Sequence, residues 1–154
     1  MIAPQDVFDF WFVDLNEAGL CPPEQRPRWF KSDPEFDAEV CAKFEEALVE
    51  AQKGGLKDWE SSPKGCAALI ILLDQFSRNI FRDQAQMYAG AARALQLSLQ
   101  MAGEHAEDAS NLAPYAIMHR DVVKQFGRFP HRNEILGRET TDAEREFLKT
   151  GRGF

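Results

Sequence analysis

Between Ala67 and Leu73 the chain reads Ala-Ala-Leu-Ile-Ile-Leu-Leu, which is apolar on every face of a helix. A helix without a polar face has to be covered all round, so the rest of the chain must wrap this segment. Ser62 and Pro63 just before it are an N-cap and a first-turn proline. Asp74-Gln75-Phe76-Ser77-Arg78-Asn79-Ile80-Phe81-Arg82 follows as its polar exit. The longest apolar run, Cys66 to Leu73, is far shorter than the ~20 residues a membrane-spanning helix needs.

The segments available to do the wrapping are amphipathic helices. Pro4 suits a first helical turn, and Val7, Phe8, Trp11 and Phe12 follow at helical spacing. A loop marked by Gly19, Pro22, Pro23 and Pro27 closes on Trp29-Phe30. Asp33 and Pro34 open a helix whose apolar stripe is Phe36, Val40, Phe44, Ala47, Leu48 and Ala51, and Gly54-Gly55 stops it. A loop carrying Trp59 leads into the buried helix. A fourth helix is predicted from about Ala85 to Ala102, with Tyr88, Ala91, Ala92, Leu95, Leu99 and Ala102 facing inward and Gly103 as its cap. Glu104 to Asn111 is a polar linker. A fifth helix runs from about Pro114 to Phe126, with Gly127 as a left-handed cap, and Gly137 ends a short turn. Thr141-x-x-Glu144 is a capping box opening a last helix that carries Phe147 and Leu148. No stretch sustains period-two alternation, so no sheet is expected. The fold class is therefore all-α, an antiparallel array of about six helices in a single domain over residues 1–154.

Charge narrows the partners. The net charge of −7 opposes non-specific binding to nucleic acid or to an anionic membrane. Met1 to Glu60 holds 14 acidic and 6 basic residues, whereas Ser61 to Phe154 holds 11 and 12, so an anion site belongs in the second part. Cys21, Cys41 and Cys66 are an odd number without C-x-x-C spacing, which suits reduced thiols and neither a disulfide framework nor a zinc ribbon. Asp6 and Asp9 interrupt the only early apolar stretch, so no signal peptide is read and a cytoplasmic location is expected.

Two longer stretches carry a resemblance. Leu69–Arg82 reads Leu-Ile-Ile-Leu-Leu-Asp-Gln-Phe-Ser-Arg-Asn-Ile-Phe-Arg. His119–Thr141 reads His-Arg-Asp-Val-Val-Lys-Gln-Phe-Gly-Arg-Phe-Pro-His-Arg-Asn-Glu-Ile-Leu-Gly-Arg-Glu-Thr-Thr. With Val7 to Phe12, Trp29-Phe30 and Trp59, they resemble a bacterial family known as domain of unknown function 924. The resemblance implies a fold similar to the tetratricopeptide-like helical class, and it implies no activity. Two departures stand out. The family usually has proline where this chain has Ser77, and it normally carries a further pair of helices where this chain has only the linker around His105 to Asn111. A shortened member would bare apolar faces on the fourth and fifth helices, which a second copy of the chain could cover.

Candidate chemistry gathers at two cationic turns. At ~100° per residue, His119 shares a face of the fifth helix with Tyr115, Met118, Val122 and Phe126, so it points inward as a core histidine or a pocket acid–base group, while Arg120 leans outward. Arg128, His131, Arg132 and Asn133 follow the glycine cap in a loop stiffened by Pro130. Arg78, Asn79 and Arg82 close the buried helix. Guanidinium forks suit carboxylate or phosphate, but they also brace loops, and Asp74–Arg78 at i, i+4 is spaced as such a brace. There is no Walker motif, no H-E-x-x-H and no G-x-S-x-G. His-Arg-Asp at residues 119–121 lacks both the glycine-rich loop and the following asparagine of a kinase catalytic loop. Three histidines without carboxylates at ligand spacing give no metal site, and no cofactor is expected.

The binding residues expected from sequence are thus Arg78, Asn79, Arg82, His119, Arg120, Arg128, His131, Arg132 and Asn133, around a small anionic ligand. The alternatives are a protein-interaction scaffold with a tetratricopeptide-like groove and an enzyme using His119 as acid or base. A homodimer is a possible assembly; nucleic acid and membrane are not expected partners.

Overall fold

Three helices start where side chains satisfy the free N–H groups of a first turn. In a computed structural model describing residues 2–13, 28–29, 32–104, 122 and 124–150, the Asp33 carboxylate accepts from the amides of Glu35 and Phe36 at 3.0 and 3.2 Å. The Ser62 hydroxyl accepts from Gly65 at 3.1 Å, and Thr141 exchanges bonds with Glu144 in a full capping box. Prolines 4, 34 and 63 stand in the first turns of their helices. The resulting α-helices are α1 (Pro4–Phe12), α2 (Pro34–Gln52), α3 (Pro63–Ile70), α4 (Ser77–Ile80), α5 (Ala91–Glu104) and α6 (Asp142–Lys149). Short 3₁₀ turns lie at Lys57–Ser61, Ala85–Tyr88 and Pro130–Arg132. Among the described residues there is no strand, so the all-α class stands. None of the helices searched is long and apolar enough to cross a membrane.

The chain divides into two compact units, within residues 1–103 and 104–154. In the first, the apolar segment is wrapped as its composition demands. Ala68, Leu69, Ile71, Leu72, Leu73 and Phe76 are buried, while Ala67 and Ile70 are half-buried at one edge. The cover comes from α1 through Val7 and Trp11 and from α2 through Phe36, Val40, Phe44, Leu48 and Ala51. Phe44 and Phe76 pack with ring centroids 4.6 Å apart, and Trp11 meets Phe76 edge-on at 5.4 Å. Trp29 stacks on Trp11 at 5.5 Å and donates its indole N–H to the Trp11 carbonyl at 3.1 Å. Trp59 is buried, so the tryptophans anchor the core.

The helix does not end at its apolar stretch. It continues as a π-helix over Ile71–Phe76 and then as α4, so the polar exit expected after Leu73 is still helical. The buried Ser77 hydroxyl donates to the Met87 carbonyl at 2.9 Å and accepts from the Gln52 amide at 3.4 Å, tying α4 to α2 and to the Ala85–Tyr88 turn.

The fourth predicted helix needs two corrections. Residues 85–88 form a 3₁₀ turn, and the α-helix starts only at Ala91, after a close approach of Gly90 to Leu73. Its inward face is Ala94 and Leu97; Leu95 and Leu99 are 46% and 65% exposed. Ala91-Ala94-Leu97 and Ala92-Leu95-Leu99 are both apolar stripes at helical spacing, and periodicity alone cannot choose between them.

In the second unit, Gly127 and Gly137 take φ of +69° and +61°, the left-handed conformation that ends a helix or turn. Phe126 packs on Phe147 at 5.0 Å, and α6 lies against the Pro130–Arg132 turn. Most of the predicted fifth helix and the loop before Arg28 lie outside the described residues; 122 and 124–126 are helical.

Gly65 is the tightest point. A side-chain carbon there would overlap the Trp59 carbonyl. Gly65→Ala is expected to destabilise the fold by about 1–3 kcal/mol, as overpacking does, read as a lower urea midpoint at unchanged slope.

Candidate functional site

The first cationic turn sits on α4, and its groups are held by acids of its own unit. Arg82 grips Asp37 with both edges of its fork, Nε to Oδ2 at 2.7 Å and Nη2 to Oδ1 at 2.8 Å. Asn79 donates to the same Oδ1 at 2.7 Å. Arg78 donates to Asp74 at 3.0 Å, which is the i, i+4 brace its spacing suggests, and lies 5.9 Å from the Tyr88 ring. Burial pushes the Asp37 carboxyl up, but the bonds from Arg82 and Asn79 and the Arg82 charge outweigh it, and the net shift is downward. This turn clamps α4 onto α2.

The second turn lies in the other unit. Arg128 forks onto Glu144, Nε to Oε1 at 2.7 Å and Nη2 to Oε2 at 2.9 Å, and also donates to the Glu139 carbonyl at 2.8 Å. Glu144 is buried, and the Arg128 bonds together with the Thr141 amide hold its carboxyl well below the usual carboxylate range. Asn133 is also buried: its side-chain amide donates to the Thr140 hydroxyl at 3.4 Å, and its backbone carbonyl accepts from the Arg138 backbone N–H at 2.7 Å. Arg132 lies over the Phe129 ring at 4.4 Å, with Nε 3.4 Å from His131 Nε2. His119 and Arg120 lie outside the described residues.

Beside this network is an open depression of about 600 Å³ lined by Arg128, Arg138, Glu139, Thr140, Thr141, Asp142 and Arg145. Arg145 donates to the Thr140 carbonyl at 2.6 Å and to Asp142 at 2.5 Å. The Arg138 guanidinium has no ion pair or hydrogen bond among the described residues, and Arg128 Nη1 and Arg145 Nε have no acceptor there. Arg138 and Arg145 were absent from the residues expected from sequence. The signal for them was indirect, two arginines flanking the Thr141 capping box, which fixes where α6 begins. Of the expected residues that are described, Arg128 alone lines this depression. Among the described residues, no three His, Cys, Asp or Glu side chains cluster as a metal ion would require.

Comparison with known proteins gives a family and no activity. The model of a family described as bacterial protein of unknown function (DUF924) matches residues 7–113 and 98–152. A solved structure, a protein of unknown function called ATU0120 from Agrobacterium tumefaciens, is 31% identical. The match covers 96% of this chain and 97% of that one, with a TM-score of 0.65. No curated protein matches.

The Asp37 clamp has a pH signature. A carboxyl whose folded pKa is depressed stabilises the fold above its unfolded value of about 4, and that contribution disappears as pH falls through the lower folded value. Asp37→Asn is therefore expected to lower the urea midpoint most at neutral pH, with the gap to wild type narrowing as pH falls below about 4. A gap of constant size across that range would show that Asp37 acts by packing alone.

Proposed function

The chain belongs to the bacterial family of unknown function DUF924, and from that premise we propose that it binds a small anionic molecule, phosphate or carboxylate, in the arginine-lined depression of residues 128–145. The observation carrying the reading is the Arg138 guanidinium, which has no acid partner among the described residues and lines the same depression as two guanidiniums that do. Arg128 and Arg145 are held by Glu144, Asp142 and two backbone carbonyls, yet each keeps an N–H with no acceptor among the described residues. Fixed donors lose little side-chain freedom when a ligand arrives, and that freedom is a main cost of binding through arginine. With Arg128 paired to Glu144 and Arg145 to Asp142, Arg138 is the cation of this rim left without an acid among the described residues. Arg82 contributes less to this reading, because Asp37 already occupies its fork, and Arg78 gives one of its N–H groups to Asp74.

Inorganic phosphate and a dicarboxylate should each raise the thermal midpoint of wild type, by the equivalent of about 1.4 kcal/mol at tenfold excess over Kd. Arg138→Gln, which breaks no internal bond of that guanidinium, should abolish the shift while leaving the ligand-free midpoint in place. Equal shifts in both proteins, or none in wild type, would overturn the reading.

A second reading, self-association, is favoured by the exposed Leu95 and Leu99 on α5, with Gln96 and Gln100 beside them and no charged residue between Ala94 and Gly103. A self-facing patch on an acidic chain works best where it is uncharged. Light scattering should then give a dimer that Leu99→Glu dissociates, and a monomer at high concentration would exclude it.

A further inference from the structure

Resting on the anion-binding reading above, we infer that the ligand at the depression is a phosphorylated sugar or polyol. The donors are the first reason. Arg128, Arg138 and Arg145 are three separate guanidiniums on one depression. A phosphate monoester offers three terminal oxygens and up to two negative charges, enough to engage more than one of these forks at once.

The second reason is space. The depression, about 600 Å³ and open to solvent, is larger than one oxyanion and leaves room for a body attached to it. The phosphate therefore brings a body with it, and the lining says what kind.

None of the lining residues is aromatic or aliphatic. An acyl chain would find no aliphatic side chain to pack on, and a nucleobase would have only a guanidinium plane to stack on. What the lining offers instead is acceptors. The Glu139 carboxylate has no ion pair or hydrogen bond among the described residues, and Asp142 is paired only at one edge, with Arg145. The Thr140 hydroxyl accepts from Asn133 and keeps its proton to donate. Carboxylates accept hydrogen bonds from hydroxyls and repel a second anionic group. The rim thus matches a molecule with one anionic end and a hydroxyl-bearing remainder.

Calorimetry on the full chain separates the two levels of the argument. Inorganic phosphate, a hexose 6-phosphate, the unphosphorylated hexose and a nucleoside 5′-monophosphate are titrated into wild type, Arg138→Gln and Glu139→Gln. The hexose phosphate should bind about tenfold tighter than inorganic phosphate, the equivalent of ~1.4 kcal/mol. Arg138→Gln should remove binding of both. Glu139→Gln should remove the hexose increment, and its ligand-free thermal midpoint should match wild type because the bond from Arg128 is to the residue 139 carbonyl. Phosphate binding with no gain from the hexose, or an equal gain from the nucleoside, would overturn the sugar phosphate and leave the anion reading standing. No binding of any phosphate would overturn both.

Discussion

A helix with no polar face is stable only inside something else, and the first unit is organised by that requirement. Leu69, Leu72, Leu73 and Phe76 are fully buried, and each such side chain contributes roughly 1.5–3 kcal/mol relative to exposure. The cover has to reach the segment from several directions. That explains why aromatic side chains crowd α1 and α2, and why Gly65 and Gly90 occur where backbone or side chains come closest. The polar groups near the core follow from the same demand. Ser77 has its hydroxyl bonded on both sides, and Arg93 donates to the carbonyls of Ala51 and Gly55 and to Glu60, closing the end of α2.

The arginines of this protein do two kinds of work. Arg82, Arg78 and Arg128 are spent largely on internal carboxylates, which fixes helices and loops in place. Arg138 has no such partner among the described residues, and it shares its depression with Arg128 and Arg145, which do. An isolated exposed arginine is a weak binder because it must be ordered first. One placed in a ready-made ring of donors avoids part of that cost, and this difference, more than the number of cations, separates the two turns.

Local signals were legible in the sequence and long-range ones were not. Asp33-Pro34, Ser62-Pro63 and Thr141-x-x-Glu144 each act within one helical turn, so residue type and spacing locate them directly. The buried segment was legible because no other placement suits it. The face of α5 was not, since two apolar stripes compete and only packing decides. The π-helix of Ile71–Phe76 leaves no periodic mark in so short a stretch. Asp37 lies far along the chain from Asn79 and Arg82, so nothing local could pair them. At the second turn, the sequence singled out Arg128 but missed Arg138 and Arg145, whose part depends on the hollow beside them and not on any motif.

Glu144 joins two jobs in one carboxylate. Its Oε2 closes the start of α6 through Thr141, and that oxygen together with Oε1 seats the fork of Arg128. Fraying of that first helical turn therefore also unseats a wall of the neighbouring hollow, and steadying the wall steadies the turn. Local order at one end of a short helix and readiness of the surface beside it are a single equilibrium, so amide exchange at the start of α6 reports on both.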